Sequence, residues 1–237
     1  LLDLVSLYRS NGRDRVVALG QISLDVAVAI DGVAAASGLR VDRATTAEDL
    51  EGDVLVIVVA HVDGTGALTD VAHVATAARA VGAVVLVDGS LSVGAVPFDV
   101  TDDVADAVVA DGHRWLLGPE GTGMAWVAPG LDHEAAARLR RASSTLGRGR
   151  LLGLARSVGW LLMYMELPWV VRRTVELADR LYGGLGGIAG VSLAADADHG
   201  ALASFAIDGW TPAEAIDELS RGVFAIVDAD EDAGLVR

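Results

Sequence analysis

The chain has 237 residues, 52% of them hydrophobic, and a formal net charge of −15. That apolar content suits one large domain with a smaller one attached, and the acidic balance argues against nucleic acid or an anionic membrane as partner. There is no Cys, and all 18 basic side chains other than His are Arg, so disulfides, thiolate metal sites and any lysine amine are excluded.

In chain order, residues 1–15 lack a basic leader pattern and read as a helix of a cytoplasmic protein. A strand is expected at 16–19, a helix at 24–36 ending near Gly38, and a short strand at 39–43. Residues 53–60 contain VLVIVVA, a run too short to span a bilayer but suited to a strand buried on both faces. A helix at 69–81 ends at Gly82, and a second buried strand covers 83–88. Strands at 107–110 and 123–128 follow, then a helix at 132–141. This rhythm predicts an α/β fold, a three-layer, mainly parallel sheet covered by helices. A helical tract from 151 to 181 is divided by Pro168, with Trp160, Met163 and Trp169 as packing residues. GGLGGIAG at 183–190 reads as a hinge or turn. The remainder predicts a small α+β unit. Its strands lie at 191–193, 202–207 and 223–227, and its helix is opened by Thr211, Pro212 and Glu214 as a capping box. The expected division is 1–150, a linking tract at 151–180 and a small domain at 181–237.

The five His, at 61, 73, 113, 133 and 199, show no tight ligand spacing, so no metal is expected. Arg138, Arg140, Arg141, Arg148 and Arg150 form the one notable basic cluster. It is either a solvated helix face or a site for an anion or an acidic partner.

Chemistry gathers where strands end, because open α/β sheets place ligand groups there. His61 and Thr65 follow one buried strand, and Asp88 closes the next. Asp88 either meets a protonated ring nitrogen or caps its own loop through the Gly89 or Ser90 amide. His113 and Arg114 follow the third strand, ahead of the permissive turn GPEGTG at 118–123.

Taken together, AHVDGTG, VDGSLSVGAVPFDV and DGHRWLLGPEGTGMAWV resemble, in order and spacing, the core of the class V aminotransferase family of pyridoxal-phosphate proteins, such as cysteine desulfurases and isopenicillin-N-epimerase-like proteins. The resemblance implies the fold type I PLP-transferase architecture, with a seven-stranded large-domain sheet in intact members, a dimer, and pyridoxal phosphate as cofactor. It matches Asp88 to the aspartate that pairs with the pyridine nitrogen and places His61 and Thr65 beside the cofactor. It sets His113 next to the Schiff-base lysine and Thr122 in a loop near the subunit interface.

Three positions depart from that pattern. Arg114 stands where the family carries its lysine, Asp111 where it carries a phosphate-contacting Ser or Thr, and Leu91 where Gln is common. Arg supplies no neutral amine, and a carboxylate opposes a phosphate. A Gly/Thr-rich phosphate-binding turn has no counterpart in this sequence, and the stretch 141–151 is short against relatives. The ending GLVR resembles the start of a substrate-carboxylate motif, which would make Arg237 the substrate arginine.

Three functions are consistent with these residues. The first is a non-catalytic structural or regulatory subunit, pairing with itself or with a full-length paralogue. The second is a pyridoxal-phosphate aminotransferase, desulfurase, epimerase or lyase whose sequence is altered or incomplete. The third is proton chemistry on a small anionic, amino-acid-like ligand by His61, Asp88, His113 and Arg114. Covalent cofactor attachment is excluded without lysine, while noncovalent binding stays open.

Overall fold

The computed structural model describes residues 12–44, 46–47, 50, 52–100, 105–129, 147–195, 198–223 and 227–237. Strand Arg15–Leu19 (β1) buries four of its five side chains. Helix Leu24–Ser37 (α1) follows and ends at Gly38, whose φ of 64° supplies the left-handed cap. Arg40–Ala44 (β2) is a polar edge strand, and its Arg40 bridges Asp14 and Asp53. Charges on an edge disfavour pairing with another chain.

Val54–Ala60 (β3) is buried at every position. A strand with no polar face is stable only between two covering layers, and these layers are present. On one face Ile30, Val33 and Ala34 of α1 pack against Val16, Leu55 and Val58. On the other, Val71, Val74 and Ala78 of helix Val71–Val81 (α2) pack against Val17, Ile57 and Val85. The Asp70 side chain accepts the His73 amide, which starts α2 two residues later than the apolar pattern alone predicts. Val84–Asp88 (β4), Ala107–Asp111 (β5) and Gly123–Val127 (β6) complete a sheet of order β2-β1-β3-β4-β5-β6. All neighbours are parallel except β5 and β6. The sheet is therefore six-stranded among the described residues.

Helices Arg148–Met163 (α3) and Leu167–Gly186 (α4) lead to the second sheet, with Pro168 in the first turn of α4. The expected hinge at 183–190 begins later than its glycines suggest. Tyr182 and Leu185 are held by apolar clusters on the second sheet's side, so α4 runs through Gly186 and the turn comes at Gly187 to Gly190.

Val191–Leu193 (β7) and Phe205–Ile207 (β8) pair antiparallel. The strand expected over 202–207 is thus confined to its second half, because the Leu202 carbonyl is taken by the Tyr182 hydroxyl. The Thr211 hydroxyl accepts the Glu214 amide and the Glu214 carboxylate accepts the Thr211 amide, opening helix Pro212–Val223 (α5) as the sequence implies. The strand expected over 223–227 falls largely outside the described residues. Val223 ends α5, residues 224–226 lie outside the described residues, and pairing passes to Ala229–Asp230 (β9) and Leu235–Val236 (β10). The helices expected at 1–15 and 132–141, with Arg138, Arg140 and Arg141, also fall outside the described residues apart from 12–15, where β1 begins.

The second sheet, of order β7-β8-β10-β9, is pinned to the first through residues 61–68. The Gly200 amide donates to the Gly66 carbonyl at 2.8 Å, the Leu68 amide to Asp198 at 3.0 Å and the Ser204 hydroxyl to Gly64 at 2.9 Å. A Cβ on Gly66, where φ is 94°, would lie 2.2 Å from the Leu202 carbonyl oxygen. Gly66→Ala should therefore cost more than ~3 kcal/mol, whereas Thr211→Ala should cost only ~1 kcal/mol. Urea denaturation of the two variants measures both, and equal midpoints would contradict the seam described.

Candidate active site

The strand order reverses on the two sides of β1, since β2 lies on one side and β3 on the other. That switch point opens a crevice at the carboxyl ends of the strands. Residues 20–23 leave β1 there, residues 61–66 leave β3, and Asp88 and Asp111 end the next two strands.

Asp88 is buried, and both carboxylate oxygens are engaged. One accepts the Ser90 amide at 3.0 Å, as a loop cap would, and the other accepts the Ser23 hydroxyl at 2.9 Å. Ser23 precedes α1 but makes no side-chain cap. Its hydroxyl reaches instead to the end of β4. The sequence expectations do not include Ser23, although it follows β1 as the named candidates follow β3, β4 and β5.

His61 is only 7% exposed and tilts against Phe98 at 4.5 Å between ring centroids. Its Nδ1 is buried with no hydrogen-bond partner. Burial pushes its pKa down to about 4, so the ring is neutral in the folded chain near neutral pH. The main-chain amide of His61 donates to the Asp88 carbonyl, which joins the two strand ends.

Thr65 does not face outward as a free hydroxyl. Its amide and its hydroxyl both donate to Asp63, at 2.8 and 2.5 Å, and the Ala67 amide donates to the same oxygen at 3.1 Å. Asp63 therefore shapes the loop, and it was not among the residues singled out from sequence. Burial, with the Asp63 charge adding to it, pushes the Tyr182 phenol up to about 12. Tyr182 stacks on His199 at 3.6 Å, behind the same loop.

Arg114 turns back onto its own strand end. Its Nε donates to Asp111 at 2.7 Å, and both side chains are partly exposed. The carboxylate and the guanidinium thus neutralise one another. His113 is exposed beside them. Thr122 is buried beneath, donating to the Pro119 carbonyl at 2.5 Å, and a Cβ on Gly112 would lie 2.4 Å from its hydroxyl. Leu91 packs with Val62, Ala95 and Val96, so the position holds an apolar contact. Arg237 pairs with Asp230 at 2.8 Å, and a Cβ on Gly64 would lie 3.3 Å from its Nη1 and 3.4 Å from Gln21 Oε1. Arg237 therefore stands at the crevice between β1 and β3.

The structure brings His61, Asp88 and Asp111 with Arg114 to one edge of the sheet. Among the described residues no side-chain hydrogen bond joins His61, Asp88 and His113 to one another. No group of metal-ligating residues occurs among the described residues, and none of their helices is long and apolar enough to cross a membrane.

The neutral His61 sets a pH dependence. Its folded pKa of about 4 lies below the ordinary 6.5. As pH falls below 6.5, the unfolded chain takes up a proton that the folded chain refuses. Stability should fall by up to ~3 kcal/mol across this window and level off below the folded pKa. His61→Phe should flatten that part of the profile, as read by denaturant midpoints against pH; an unchanged slope would contradict the burial of a neutral ring.

The comparisons with known proteins agree with this architecture. The family description "Aminotransferase class-V" matches residues 16–227. The cysteine desulfurase IscS of Escherichia coli is 27% identical over 164 residues, which is 64% of this chain and 39% of that protein. The chain thus spans well under half the length of this curated relative. Apo cysteine desulfurase from Thermococcus onnurineus superposes with a TM-score of 0.71 at 19% identity, covering 96% of this chain and 66% of that one. A lysine-to-alanine mutant of C-DES, with glycine covalently linked to its PLP cofactor, superposes with a TM-score of 0.75 at 16% identity, covering 94% and 69%. By the match over residues 16–227, this chain belongs to the class-V aminotransferase family.

Proposed function

We propose that this chain is a class-V aminotransferase-like protein that does not hold pyridoxal phosphate covalently and serves as a non-catalytic structural or regulatory subunit, in a dimer with itself or with a full-length paralogue. The observation that carries this reading is the Arg114–Asp111 ion pair at the third strand end, in a chain that has no lysine. A Schiff base needs a neutral primary amine, and a guanidinium supplies none. The pair also occupies the polar capacity of the loop. A phosphate would have to displace Asp111 from Arg114 or accept a carboxylate beside it.

The residues present therefore do not fit pyridoxal phosphate held through a protein amine, and no reaction step is assigned through it.

The second reading, a pyridoxal-phosphate enzyme altered at position 114, is favoured by one feature. Asp88 keeps a buried carboxylate at the end of β4, in the place the family resemblance gives to the cofactor's ring partner. One spectrum tests the first reading. The chain is titrated with pyridoxal phosphate, and absorbance is recorded before and after borohydride. The expected result is no chromophore fixed to the protein. A borohydride-fixed chromophore on the unaltered chain overturns the first reading. Arg114→Lys alone should bind at least ~10-fold more weakly than the Arg114→Lys/Asp111→Ser double variant, because it leaves the carboxylate in place.

A further inference from the structure

The seam between the two sheets carries a titratable side chain that neither the crevice nor the subunit role uses. His199 pairs antiparallel with Ala67, and hydrogen bonds of the seam lie on both sides of it. The Leu68 amide donates to the Asp198 carbonyl and the Gly200 amide to the Gly66 carbonyl. From there the His199 ring projects onto helix α4. It stacks on Tyr182 with 3.6 Å between ring centroids and 4° between the planes. The Tyr182 hydroxyl donates to the Leu202 carbonyl at 2.8 Å, which fixes the ring that His199 lies on. Only 10% of the His199 side chain is exposed.

Both ring nitrogens face oxygen. Nδ1 lies 3.0 Å from the Gly200 carbonyl oxygen, and Nε2 lies 3.5 Å from a carboxylate oxygen of Asp179 on α4. A carbonyl and a carboxylate only accept, so each contact is attractive only when the nitrogen carries a proton. A neutral imidazole has one proton and must turn a lone pair to one of the two oxygens. The imidazolium satisfies both, and its charge is also favoured over the face of Tyr182.

The surroundings are acidic. Among the described residues, Asp179 and Tyr182 face the ring from α4, and Asp198 precedes it in the chain. Asp63 acts on Tyr182 from the loop after β3, and Asp196 lies outside the described residues. No Arg lines the cavity of about 650 Å³ onto which Asp179, Tyr182, Ser192 and His199 open. Tyr182 is pushed up to about 12 and stays neutral near neutral pH, so it brings no competing charge.

We propose that His199 is a proton-operated latch on the seam: its protonated ring ties α4 to the 198–200 segment through Asp179, and loss of the proton to solvent through the cavity lets this part of the seam open more often. The seam grips the loop that carries His61 and Asp63, so the latch sets how firmly one wall of the crevice is held. Its sign is opposite to that of His61. A falling pH destabilises the whole chain through His61 and tightens the seam through His199.

Amide hydrogen exchange on the full chain tests the latch, read at Leu68 and Gly200 at about pH 5.5 and about pH 7.5 and corrected for intrinsic exchange. Wild type is compared with Asp179→Asn. Asp179 is 65% exposed, so the variant should fold, as circular dichroism checks. Both chains keep His61, and its effect cancels in the ratio of their protection. That ratio should be ~3 at the lower pH and ~1 at the higher. With His199→Gln in both chains, the same comparison should give one ratio at both pH values, because the amide takes up no proton. A wild-type ratio that does not change with pH overturns the proposal, as does a pH dependence that survives His199→Gln. No pyridoxal phosphate enters the measurement, so the latch and the subunit reading fail separately.

Discussion

Everything at the candidate site is positioned by the burial of β3 on both faces. Seven apolar residues with no polar side must lie between two layers, and this requires α1 on one face and α2 on the other. Parallel neighbours then share one polarity, so the loops after β1, β3, β4 and β5 leave the sheet at the same edge. The seam with the second sheet follows from that edge. Residues 61–68 are gripped by hydrogen bonds from the 198–204 segment, and a Cβ would run into the Leu202 carbonyl at Gly66 and into the Val62 side chain at Gly200. The loop bearing His61 and Asp63 is thereby a rigid part of both sheets.

At this edge the chain has settled its charges internally. Asp63 is bound to its own loop, Asp88 to Ser23 and Ser90, and Asp111 to Arg114. A half-exposed ion pair such as Asp111–Arg114 adds about 1 kcal/mol or less to stability. Its importance is electrostatic. Asp111 alone would leave a negative charge in the loop, and Arg114 alone a positive one, whereas together they leave a neutral turn with no nucleophile.

Much of this was legible in the residues. The buried strands, the helix ends at Gly38 and Gly82 and the capping box at Thr211 have local signals strong enough to survive tertiary context. The three strand-end motifs fall at one edge because sheet polarity puts strand ends together. Less visible were features whose cause lies far away in sequence. The Ser23–Asp88 bond spans 65 residues, and nothing near Ser23 distinguishes it from a helix cap. The glycines of α4 suggested a turn until the packing of Tyr182 and Leu185 outweighed their weak helix propensity. Within residues 228–237, Asp228 and Arg237 exchange main-chain hydrogen bonds, a pairing that no local sequence signal marks.

The strained residue Leu117 links the third strand end to α3. Its amide is tied to Arg114 and its carbonyl to Ser157 of α3, so the turn between strand end and helix is fixed at both ends. A left-handed leucine is tolerated only where its neighbours over-determine it. Its side chain lines a groove along α3. The third strand end and α3 are thus joined through one turn, by a hydrogen bond on each side of Leu117.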